Sequence, residues 1–145
     1  MNKDQVIAQI EDWERRLNDL FAQIDRWYQE LPPSENDNLL KGSVLQHDEA
    51  PMRQFDIPPR MLPTRAIIHG GNRVSFVPSV LWIHGANGRV NATTDKMQFM
   101  IVDMGGANGR PSDWQIVTSQ LHRVHRPFDR EVFNGLVLMQ RVEAA

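Results

Sequence analysis

From Val6 to Leu31 the apolar residues Val6, Ile10, Trp13, Leu17, Leu20, Ile24, Trp27 and Leu31 are spaced alternately four and three apart, with Asp, Glu, Arg and Gln between them. That is the seven-residue repeat of a helix with one packed seam. No Pro or Gly interrupts residues 1–31, and Pro32-Pro33 then ends the run by removing backbone donors and disfavouring helix at the preceding residue. The pattern predicts a single amphipathic helix over 1–31. Ile7, Phe21 and Tyr28 lie beside the seam and widen it, while Glu11 with Arg15 and Asp12 with Arg16 are expected as ion pairs on the solvated side.

Such a rod is on the order of 40 Å long, against a radius of gyration of roughly 15 Å for a compact domain of this size. Two readings of the seam follow. Either it lies on the chain's own sheet, or Ile10, Trp13, Leu17, Leu20, Ile24 and Trp27 bury at least part of it against a second copy.

Residues 32–64 hold six of the nine prolines and the polar run Ser34 to Asn38, so they read as a connector. Its length argues that part of it packs across the body, anchored by Leu39, Leu40, Val44, Leu45, Phe55 and Ile57. His47-Asp48-Glu49 has no companion at metal-ligand spacing and reads as solvated loop.

From Arg65 short apolar runs alternate with glycine and asparagine, the texture of antiparallel strands and tight turns. Strands are predicted at 65–69, 73–84, 89–94, 96–104, 113–118 and 133–142, with Pro78 bending the second or placing it at an edge. The expected fold is α+β: one long N-terminal helix, the connector, and a β domain over 65–145 built on an antiparallel sheet of about five or six strands.

Three turns echo one another: His69-Gly70-Gly71-Asn72, His84-Gly85-Ala86-Asn87-Gly88-Arg89 and Gly105-Gly106-Ala107-Asn108-Gly109-Arg110. Their spacing is unequal, so they are not a structural repeat, and the need of hairpins for positive φ accounts for most of the likeness. In an up-and-down meander the second and third turns share one end of the sheet. That end would gather Asn87, Arg89, Asn108 and Arg110 beside bare glycine amides, a combination suited to a small anionic ligand. His69 and His84 fall at opposite ends and are not a metal pair.

The segment 119–132 is the most basic, with His122, Arg123, His125, Arg126 and Arg130. His-x-x-His lacks the third and fourth ligands of a zinc site, so the segment reads as a solvated connector or a patch for an acidic partner.

With 145 residues and 41% apolar content the chain supports one substantial core. It has no cysteine, which excludes disulfides, thiolate metal sites and thiol nucleophiles. Neither a basic segment leading into an apolar core nor a run near the roughly 20 apolar residues of a membrane span is found, so a soluble, cytoplasmic protein is expected. Net charge is −2, with seven Lys and Arg against twelve Asp and Glu up to Thr64, and nine against six afterwards. That balance disfavours nucleic acid as the main partner.

No familiar catalytic set is complete. None of the three lysines follows a glycine loop as phosphate binding requires. Asp103, Asp113 and Gln115 resemble part of a nuclease site, but Val117 stands where its lysine belongs; Ser119 with His122 lacks a nucleophile turn and a third member. No cofactor is implied. The leading expectation is therefore a non-catalytic binding module that self-associates through its helix or binds a partner protein. The alternatives are a hydrolase or transferase acting on a phosphorylated small molecule, with Arg89 and Arg110 as clamps and His84 as acid or base, and a nucleic-acid accessory protein using Arg123, Arg126 and Arg130.

Overall fold

A computed structural model describes residues 1–106, 109–119 and 124–138. Its first element, α1, spans Lys3–Gln29 and opens on a reciprocal cap: Asn2 accepts from the Gln5 amide while Gln5 accepts from the Asn2 amide. The seam faces inward. Val6, Ile10, Trp13, Leu17, Leu20, Phe21 and Ile24 are all buried in the chain's own core, while Trp27 and Leu31 at the end of the seam pack against it and stay partly exposed.

Among the described residues the sheet has seven strands rather than five or six: β1 (Asn38–Leu45), β2 (Met61–His69), β3 (Asn72–Val80), β4 (Arg89–Thr93), β5 (Gln98–Asp103), β6 (Trp114–Ser119) and β7 (Val124–Pro127). Every neighbouring pair is antiparallel and spatial order equals chain order, a plain meander. The fold is α+β, as the sequence pattern implies.

Three departures from the sequence reading have physical causes. β1 lies inside the expected connector; it is an edge strand exposed on both faces over Lys41, Gly42 and Ser43, so burial imposes no alternation on it. A short helix, α2 (Ala50–Gln54), with Pro51 in its first turn, follows it. The expected last strand at 133–142 is instead a helix, α3 (Arg130–Val137), while residues 139–142 lie outside the described ones. Asp129 caps it by accepting from the Val132 amide at 3.0 Å, and Val132, Phe133, Leu136 and Val137 then share one buried face at helical spacing.

The prolines sit where the ladder can spare them. Pro63 faces Ser43 of β1, beyond the point where β3 stops pairing with β2. Pro78 adjoins a bulge, where the register between β3 and β4 shifts and the predicted 73–84 strand ends early, at Val80.

α3 packs under the C-terminal half of α1. Trp27 meets Phe128 edge-on at 5.5 Å and Phe133 at 5.6 Å, and Phe76 from β3 closes the cluster. At the other end Trp13 lies 6.0 Å from Trp114 and presses on the backbone of Gly88, whose φ of 124° and lack of Cβ admit the indole. Among the described residues no helix is long and apolar enough to cross a membrane.

Candidate functional site

Two of the three glycine-asparagine turns do meet, and α1 joins them. The Asn87 amide donates to the Asp103 carbonyl at 2.8 Å, its side chain donates to the Gly105 carbonyl at 2.6 Å, and its own carbonyl accepts from Arg16 Nη1 at 2.7 Å. Arg16 was expected on the solvated face of the helix. It is instead 3% exposed, because three chain segments supply it with acceptors: Asn87, Asp12 at 2.8 Å and Asp103 at 2.9 Å. Its neighbour Arg15 stays outside and pairs with Asp12 and Asp19 rather than Glu11.

Asp103 is fully buried and fully used. One carboxylate oxygen receives Arg16, and the other accepts the backbone amides of Gly105 and Asp113, so this residue fixes the β5–β6 turn and receives the helix at once. It is thus a structural anchor, and its contacts with Asp113 run through the Asp113 backbone. For Asp12, burial works to raise the carboxyl, but hydrogen bonds and charge from Arg15 and Arg16 outweigh it and hold its pKa below the usual value.

Above this cluster lies a cleft of about 620 Å³ between the N-terminal half of α1 and the β3–β4 connection. Gln5, Gln9, Asp12 and Arg16 form one wall, and Trp82, Ile83 and Asn87 form the other. Trp82 is positioned from both ends: its indole Nε1 donates to Gln9 at 2.7 Å, and its backbone amide, with that of Leu81, donates to the Glu49 carboxylate at 3.0 and 2.9 Å. Glu49, read from the sequence as solvated loop, is a buried clamp. The buried anchoring roles of Arg16, Asp103 and Glu49 escaped the sequence reading because their partners lie in other segments; the one local signal was the four-residue spacing of Asp12 and Arg16.

The other candidate residues are dispersed. Arg89 is on the side of β4 opposite the buried Val90 and Ala92, hence away from α1, where it donates to Ser79 Oγ at 2.9 Å. Arg110 is exposed and borders a second, more open depression with Asp19, Trp27 and Trp114. Asn108 is outside the described residues. The structure therefore places Asn87, but neither Arg89 nor Arg110, on the first cleft.

In the basic segment, His125 and Arg126 belong to β7, facing Val117 and Ile116 and so pointing to opposite sides of the sheet. Arg130 pairs with Glu30 at 3.0 Å, and His122 and Arg123 lie outside the described residues. His69 is buried 3.2 Å from Asp37, whose carboxyl is held below its usual pKa chiefly by the Ser34 hydroxyl. His84 stands past the far end of β3. No group of three or more His, Asp or Glu suited to a metal occurs among the described residues.

No protein-family model, curated protein or solved structure matches this chain.

Proposed function

We propose that the protein is a non-catalytic binding module whose ligand is a small, uncharged, polar molecule held in the cleft between α1 and the β3–β4 connection. The observation that carries this reading is the pre-organised pair of walls. Trp82 is fixed by Gln9 and Glu49, and it faces a set of amides above an ion cluster whose charges already satisfy one another. A cleft of this size suits a small molecule. The guanidinium is committed to two carboxylates, so an added anion gains little there, whereas an apolar indole face beside amide donors and acceptors suits a hydroxyl-rich neutral ring.

Ligand-observed NMR with neutral monosaccharides and, separately, sugar phosphates tests the proposal. Saturation transfer to a neutral sugar that is abolished in Trp82→Ala supports it. Transfer only to the phosphates would favour an anionic ligand instead. Absence of transfer to every probe removes the cleft as a neutral-sugar site.

A further inference from the structure

Among the described residues β1 leaves one edge of the sheet open. Gln46 donates its amide to the Arg60 carbonyl at 2.8 Å, which shows that the main-chain groups of Gln46 face β2. Strand alternation then directs those of Leu40, Gly42 and Val44 the same way and turns the N–H and C=O of Leu39, Lys41, Ser43 and Leu45 outward. Those outward groups have no hydrogen-bond partner among the described residues. An unpaired edge of this length is a template for another strand. Its guards are few: Lys41 carries the only charge in β1, Leu40 is 38% exposed, and Leu45 and its β2 neighbour Met61 are 60% and 54% exposed.

The order of residues along β1 specifies the occupant. Around Gly42 the apolar residues of the strand are symmetric, Leu39 matching Leu45 and Leu40 matching Val44, while the polar pair Lys41 and Ser43 stand opposite each other. A two-fold contact joins the same patch of both copies, so residue i meets j while j meets i. Antiparallel pairing centred on Gly42 sets outward-facing residues only against outward-facing residues, and each such pair exchanges two hydrogen bonds.

We infer that β1 pairs antiparallel with β1 of a second copy about a two-fold axis through Gly42, extending one sheet through both molecules. Leucine then meets leucine at both ends of the contact, covering the side chain beside Met61. At the axis glycine faces glycine, where the Cα atoms of a non-hydrogen-bonded pair approach to about 4.5 Å. Each Lys41 faces a serine rather than another lysine, and is already near Asp25 of its own α1 at 3.7 Å.

Sedimentation equilibrium of the full chain from about 10 to 500 µM, a range that resolves micromolar association, is the test. The wild type is expected to dimerise, and a chain that remains monomeric throughout overturns the inference. Ser43→Pro deletes an outward N–H while leaving the β2 ladder intact, so it should give a monomer with unchanged far-UV circular dichroism; a folded dimer of that variant also overturns it. Should Ser43→Pro not fold, two charge variants decide, because the register places residue 43 against Lys41 of the other copy twice. Ser43→Glu should tighten the dimer several-fold and Ser43→Lys should weaken it by about tenfold, consistent with cross-strand pair energies. Equal dissociation constants for the two would exclude this register.

Discussion

Arg16 on α1 and Asp103 at the end of β5 meet at 2.9 Å across 87 residues of sequence, both buried. The pair fastens the helix to the turn end of the sheet. Asp103 also holds two backbone amides and Arg16 also holds the Asn87 carbonyl, so neither partner is removed without stranding the other. Arg16→Met should therefore destabilise the protein by about 3–5 kcal/mol, the range for breaking a buried pair from one side. Urea unfolding at neutral pH measures it, and a loss below about 1 kcal/mol would show that the pair is not a fastening.

The same cluster sets an acid limit. Asp12 has its pKa below the usual value in the folded state, so its contribution is complete above the ordinary carboxylate range and disappears as pH falls through the lowered folded pKa. Asp12→Asn mimics the uncharged form at every pH. The stability gap between wild type and Asp12→Asn should accordingly be open at pH 7 and narrow as the pH falls below the ordinary carboxylate value of 3.8. A gap of constant size over that interval would contradict the ion-pair account.

Gly88 tests how closely the helix approaches the sheet. Its φ of 124° disfavours any side chain, and a Cβ there would clash with the edge of the Trp13 ring. Gly88→Ala combines backbone strain with overpacking, each about 1–3 kcal/mol, and should lower stability by about 3 kcal/mol and alter near-UV circular dichroism from Trp13. An alanine variant as stable as wild type, with the same near-UV spectrum, would mean that the contact is loose.

The legible parts of the fold were those with periodic burial. α1 announces itself because the sheet buries the seam from Val6 to Ile24, and β2 to β6 because glycine and asparagine mark every turn between these apolar runs except the polar one from Thr94 to Lys96. β1 was hidden by exposure on both faces, and α3 because Leu136 to Met139 is a contiguous apolar run that reads equally as strand until the Asp129 cap is weighed. The candidate site was half legible. That two glycine-asparagine turns converge follows from meander topology, but strand parity then sends Arg89 to the far side of β4, a consequence of where Val90 is buried. That Arg16 is internal depends on Asn87 and Asp103, and no spacing within α1 encodes them.

Glu49 is the residue through which the ligand proposal and the fold are joined. Its carboxylate is the acceptor for both the Leu81 and Trp82 amides, and the first of these bonds is buried. Glu49→Ala removes both acceptors and leaves the Leu81 donor without water, a loss of about 3 kcal/mol from hydrogen bonds to a charged group. Glu49→Gln keeps one carbonyl oxygen and should lose about half as much. Because these amides fix the start of the β3–β4 connection, the Trp82 indole should also loosen. Its emission, isolated by difference against the same backgrounds carrying Trp82→Phe, should move to longer wavelength in Glu49→Ala. If Glu49→Ala matches wild type in both urea midpoint and Trp82 emission, the cleft wall is held by Gln9 alone.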